Sequence, residues 1–116
     1  MSRRSTGVEI NCGIYLSGPM TGYVDNNIPR FAELASRLRG RGYRVYNPGE
    51  WGAGPWWYCV SRDLTFMFVL WVTRRLHMIV THGTWGLSRG AVLEVRLASK
   101  LGLTRWAITD FFKEEV

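Results

Sequence analysis

A chain of 116 residues, 47% apolar and 21% charged, has the make-up of one folded domain over 1–116 with a core of its own, which excludes a disordered polymer. Fifteen Lys and Arg against nine Asp and Glu leave a formal charge of +6, which favours an anionic partner. The basic residues are scattered as Arg3-Arg4, Arg37, Arg39, Arg41 and Arg74-Arg75 with no basic tract or nucleic-acid motif, so the expected partner is a small phosphorylated molecule and not a nucleic-acid polymer.

In chain order, Met1-Ser2-Arg3-Arg4 is not followed by the apolar segment a signal peptide needs. The apolar run over 64–72 is too short to span a bilayer before Thr73, Arg74 and Arg75 close it. The expectation is a cytoplasmic protein without a membrane contact. Cys12 and Cys59 fit neither a disulfide framework nor a CxxC metal pattern and are expected as buried thiols. Gly13-Ile14-Tyr15-Leu16 reads as a strand that stops at the small-residue loop over 17–22, a loop that can bring backbone N–H groups up to a ligand. Pro29 suits a first helical turn, and Phe31, Leu34, Ala35 and Leu38 keep helical spacing until Gly40 and Gly42.

Arg44-Val45-Tyr46 is a second short strand, ended by Asn47-Pro48-Gly49 and a Gly- and Trp-bearing loop over 50–55. Residues 56–72 read as a helix with Ser61, Arg62 and Thr65 on one side. Asp63 lies on the other, with Cys59, Val60, Phe66, Met67 and Leu70. The rest of that helix is apolar nearly all round, which points to burial on several sides and to a homo-oligomer. Met78-Ile79-Val80 forms a third strand, 82–87 its loop, 88–101 a helix and 105–109 a last strand. Alternating strands and helices imply an α/β fold, a doubly wound parallel sheet of four to five strands. Ligands collect beyond the strand C-termini of such sheets, where the loops over 17–22, 47–54 and 82–89 converge.

The helix over 88–101 is the most informative element. At about 100° per residue, Ala91, Val95, Leu97, Ala98 and Leu101 form one stripe, Arg96, Ser99 and Lys100 face away, and Glu94 lies within the stripe. Ser88 is the expected N-cap and Gly102 the stop. A carboxylate turned toward a core is unfavourable unless it is paired, hydrogen-bonded or reached by water. Face position alone leaves two readings open: a structural Glu satisfied internally, and one facing a ligand. Helical side chains lean toward the N-terminus, so Glu94 points back to the free N–H groups near Ser88, Arg89 and Gly90, where an anion can be held. A phosphate site beside a carboxylate suits chemistry on a phosphorylated sugar. Asp63 is a second carboxylate on an apolar face.

Four pieces then occur in order along the chain: Ile14-Tyr15-Leu16-Ser17-Gly18-Pro19-Met20-Thr21-Gly22, Tyr46-Asn47-Pro48, Arg62-Asp63-Leu64, and Ser88-Arg89-Gly90-Ala91 leading to Glu94. As a set they resemble the nucleoside 2-deoxyribosyltransferase-like superfamily, including its 2′-deoxynucleoside 5′-phosphate N-hydrolases and a small bacterial and phage branch. The resemblance implies a Rossmann/flavodoxin-like three-layer sandwich. It implies that Glu94 attacks the anomeric carbon, that Asp63 stands near the departing base as proton donor or positioning group, and that Tyr15 orients Glu94. Ser88 and Gly90, with Arg89 in support, match the phosphate site of the N-hydrolases. Ser17, Gly18, Met20 and Asn47 fall in the substrate-binding loops.

The implied activity is hydrolysis of the N-glycosidic bond of a (deoxy)nucleoside 5′-monophosphate, with no metal or other cofactor. The alternatives are a nucleoside deoxyribosyltransferase and a non-catalytic nucleotide-binding or sensing protein on the same fold. Relatives resolve the glycosyl ester with water or a second base and often complete a site from a neighbouring subunit. The sequence departs from the pattern at His77, where an acidic residue is common, and at His82, where an apolar one is usual. Each histidine has a structural and a substrate-facing reading. Trp51, Trp56, Trp57 and Trp85 can either stack on a base or pack in the core.

Overall fold

A computed structural model describes residues 12–20, 23–52 and 54–112. Arg3-Arg4, the residues that bear on a leader segment, and Thr21-Gly22 of the first loop lie outside the described residues. The elements run β1 (Gly13–Ser17), α1 (Ile28–Gly40), β2 (Arg44–Tyr46), α2 (Trp56–Val72), β3 (Met78–Thr81), α3 (Arg89–Lys100) and β4 (Thr104–Ala107). All the pairings are parallel and the sheet order is β2-β1-β3-β4. This is the expected doubly wound α/β sheet, with four strands among the described residues.

Period-two alternation sends the strand side chains to two faces, and each face has its own apolar cluster. Ile14, Leu16, Val45 and Val80 pack with Phe31, Leu34, Ala35 and Leu38 of α1. Tyr15 and Ile79 pack on the opposite face with Met67 and Leu70 of α2 and Ala98 of α3. The central strand β1 is buried at every position, as expected where a parallel sheet is covered on both sides. No helix among the described residues is long and apolar enough to cross a membrane.

The helix limits follow local chemistry. The Ser88 hydroxyl accepts from Ala91 N at 3.3 Å, and Gly102, at φ 78°, ends α3 in the left-handed region. The last strand differs from its expected span. It closes at Ala107 because the Asp110 carboxylate accepts from Ala107 N at 2.8 Å and draws 108–110 into a single 3-10 turn. Beyond it Phe112 is buried, with the Arg37 and Arg41 guanidinium groups 4.0 and 4.3 Å from its ring centroid. Cys12 and Cys59 are in no disulfide and are half-buried instead of buried. Cys59 donates a long 3.6 Å hydrogen bond to Gly54 O.

Candidate active site

A cavity of about 270 Å³ opens beyond the C-terminal ends of β1 and β2, close to the lower end of the roughly 300–1,000 Å³ of small-molecule sites. One wall is Gly18, Met20, Asn26, Ile28 and Phe31, from the loop after β1 and the start of α1. Pro48 and Gly49 extend it from the loop after β2. The facing wall is Trp56, Cys59, Val60, Arg62 and Asp63 of α2 with Ser88, Gly90, Ala91 and Glu94 of α3. The β1 loop can enter so far because residue 18 has no side chain. A Cβ there would lie 2.4 Å from Nε2 of His82.

Glu94 is 6% exposed and held from below by two hydroxyl groups. Tyr15 Oη donates to Oε2 at 2.7 Å and Ser17 Oγ donates to Oε1 at 2.6 Å. Both donors come from β1, whose odd residues point to this face, so strand register and helix face together aim them at the acid. Asp63, also 6% exposed, reaches Glu94 from α2 and shares a hydrogen bond with it. Burial raises the Glu94 carboxyl from its ordinary 4.5 to about 8, against the two hydroxyl donors and with the Asp63 charge adding to the rise. Burial raises Asp63 as well, opposed by the Arg62 guanidinium. Glu94 therefore keeps its proton at neutral pH, and the two buried acids titrate as a pair in which a charge on one opposes a charge on the other. Burial, then the Glu94 charge, pushes the Tyr15 phenol well above its usual range, so it remains a donor.

The family model for a domain of unknown function, DUF4406, matches residues 12–105. The chain belongs to that family. The matched span contains every residue of the cavity. No curated protein and no solved structure matches the chain.

In this DUF4406 domain the expected site residues separate into three groups. Gly18, Met20, Asp63, Ser88, Gly90 and Glu94 line the cavity. Tyr15 and Ser17 stand behind it, fully buried, and act on it through Glu94. Asn47 and Arg89 are placed otherwise. Asn47 is buried and turned into its own loop, where Oδ1 accepts from Gly49 N at 2.9 Å, and its neighbours Pro48 and Gly49 reach the cavity instead. Arg89 is exposed, with its guanidinium carbon 4.3 Å from the Trp56 ring centroid at the cavity edge.

The two histidines have structural settings. His77 Nδ1 accepts from Gly13 N at 2.9 Å. His82 is buried against Phe31, ring centroids 4.5 Å apart, and its Nε2 meets no hydrogen-bond partner among the described residues. Burial and then the Arg30 charge lower its pKa from 6.5 to about 4, so it is neutral at pH 7. Of the tryptophans, Trp56 lines the cavity, Trp51 packs on Tyr15 at 6.1 Å, and Trp57 is exposed. Trp85 lies under the Arg105 guanidinium at 5.2 Å.

Sequence reasoning missed Arg62, Asn26, Phe31 and Val60 as cavity residues. Arg62 carried a signal in its adjacency to Asp63, and Val60 carried one in sharing the Asp63 side of the helix. The sequence set Arg62 on the opposite side of the helix, and the structure corrects this: its side chain is 13% exposed and folds back to Asp63.

Proposed function

We propose that this protein hydrolyses the N-glycosidic bond of a nucleoside 5′-monophosphate, a deoxynucleotide in the first instance. The observation that carries the reading is Glu94 at the cavity wall, fixed by two hydroxyl donors and hydrogen-bonded to a second carboxyl. Paired carboxyls that share one proton are the equipment of a retaining glycosidase, in which one attacks and the other protonates the leaving group. The motif resemblance to 2′-deoxynucleoside 5′-phosphate N-hydrolases supports the same chemistry.

In this mechanism the shared proton resides on Asp63 when the sugar is bound, and Glu94 is ionised. A Glu94 oxygen bonds to C1′ as the C1′–N bond breaks, and Asp63 gives its proton to the departing base nitrogen. Water then attacks C1′ of the ester, loses a proton to Asp63 and releases Glu94, so that base and sugar phosphate are the products. Tyr15 and Ser17 fix the attacking carboxylate, and positive charge developing on the sugar favours its ionised form. The N-terminus of α3, with Ser88 and Gly90 in the wall and Arg89 beside Trp56 at the rim, is the end suited to the phosphate. Met20, Ile28, Phe31 and Pro48 form the apolar end suited to the base.

The test is incubation with a panel of ribo- and deoxynucleoside monophosphates, with chromatographic detection of free base. Base release is expected, lowered about a thousandfold or more in Glu94→Gln and Glu94→Ala. A new nucleoside formed with an added second base identifies transferase chemistry. Nucleotide binding without base release, unaffected by Glu94→Gln, overturns the proposal in favour of a sensor.

A further inference from the structure

Arg62 is the cavity residue that ties the loop after β2 to the acid pair. Its Nε donates to Asp63 Oδ1 at 3.1 Å, and its Nη1 donates to the carbonyl oxygens of Trp51 and Gly52 at 2.8 and 2.9 Å. The guanidinium carbon lies 5.8 Å from the ring centroids of both Trp51 and Tyr58. A rigid planar fork meets a carboxylate and two carbonyl groups at once, which a lysine ammonium on its flexible stem does not. Trp51 in turn packs edge-on against Tyr15, the phenol that donates to Glu94. One cation therefore joins the loop after β2 to Asp63 directly and to the seat of Glu94 through Trp51.

We propose that Arg62 is the positioning residue of the acid pair: its grip on the Trp51 and Gly52 backbone fixes the guanidinium against Asp63 and so sets the pH range over which the two carboxyls share a single proton. The groups facing the pair are Arg62 on α2 and Tyr15 and Ser17 on β1. His82 packs on the opposite face of the sheet, against Phe31. Burial opposes any negative charge here, and Arg62 favours the first ionisation by standing beside Asp63. That first charge then opposes the second, on Glu94. Without the cation, the lower limit of the one-proton range rises toward the upper limit and the range narrows from its acid side. A displaced loop has the same effect, because the guanidinium is no longer held. Only the kinetic consequence rests on the glycosidase reading.

The test is an NMR titration of the side-chain carboxyl carbons of the full chain, assigned with Asp63→Asn and Glu94→Gln. In Arg62→Gln the Asp63 midpoint is expected to rise by about one pH unit or more. Arg62→Lys, which keeps the charge and loses the double grip, is expected to lie between that variant and the wild type. The acid limb of kcat/KM for nucleotide cleavage is expected to follow the Asp63 midpoint across the series. An unchanged midpoint in folded Arg62→Gln overturns the proposal. If that variant does not fold, Arg62→Lys decides, and a midpoint equal to the wild type's overturns it. The titration needs no substrate, so a shifted midpoint without base release from any nucleotide removes the glycosidase reading and leaves the role of Arg62 standing.

Discussion

Glu94 and His82 are both buried in their neutral forms, and they tilt stability with pH in opposite senses. Glu94 holds its proton up to about pH 8 in the fold and to its ordinary 4.5 when unfolded. Its contribution is therefore complete below pH 4.5 and is lost as pH rises through 8, a swing on the order of 3–5 kcal/mol. Glu94→Gln removes this titration. Its melting temperature is expected to exceed the wild type's by roughly 10 °C or more at pH 9, with the gap closing toward pH 4.5. Equal gaps at both pH values in thermal scans contradict the assignment. For His82 the folded value of about 4 lies below the ordinary 6.5, so its contribution is present above pH 6.5 and is lost as pH falls through 4. His82→Asn is expected to be less stable than wild type at pH 7.5 because it loses the contact with Phe31. That deficit is expected to shrink by about 2–3 kcal/mol at pH 4, measured by urea unfolding. A deficit independent of pH counts against a buried neutral imidazole.

At the scale of elements, α3 brings a carboxylate and a helix N-terminus to one cavity, and the two can be perturbed separately. A Cβ at Gly90 would meet Val60 Cγ2 at 3.5 Å and Trp56 Nε1 at 3.8 Å, ordinary contacts that leave the fold intact and begin to fill that end of the cavity. Gly90→Val is expected to raise KM for a nucleoside monophosphate about tenfold or more and to lower kcat by less, since the added methyl groups fill the phosphate end of the cavity and leave the Tyr15 and Ser17 donors that hold Glu94 in place. A fall in kcat with KM unchanged rejects the placement of the phosphate. Glu94 and Asp63 were legible in the sequence because an acid on an apolar stripe is costly and period fixes its direction. The limits of α2 were legible for the same reason, as its apolar pattern stops with Val72. Arg62 was not, because a helical wheel gives the direction of Cβ whereas a long side chain can curl back over its own helix. Asn47 was misdirected by a motif: the local turn consumed its carboxamide in a bond to Gly49 N, an interaction that spacing does not encode. Three consecutive left-handed residues, Asp25, Asn26 and Asn27, likewise escaped the pattern, although Asn and Asp are the types that tolerate such φ values.

At the scale of the whole molecule, the outer side of α2 is an exposed apolar patch among the described residues. Trp57, Phe68, Val69 and Val72 are 67, 49, 46 and 57% exposed there, with Ser61 and Thr65 between them. No charged residue occurs from Leu64 to Val72, so this side has nothing ionic to select a different partner or to repel its own copy. A two-fold axis across the helix would lay the same apolar side against itself, an isologous contact that would leave Asp63, on the inner side, facing the cavity. Exposed apolar patches of this kind mark contact surfaces. The expected species at micromolar concentration is a dimer of the 13.3 kDa chain by sedimentation velocity. Phe68→Glu sets two like charges close to the axis, where their desolvation and repulsion oppose pairing, and is expected to yield the monomer with its far-ultraviolet circular dichroism unchanged. The choice of Phe68 makes the test specific, because its ring lies on the outer side, half exposed, and packs within the chain against Trp71 at 5.9 Å and not against the core. A wild-type chain that sediments as a monomer removes the two-fold arrangement and leaves an apolar side that the chain's own charge of +6 must keep in solution.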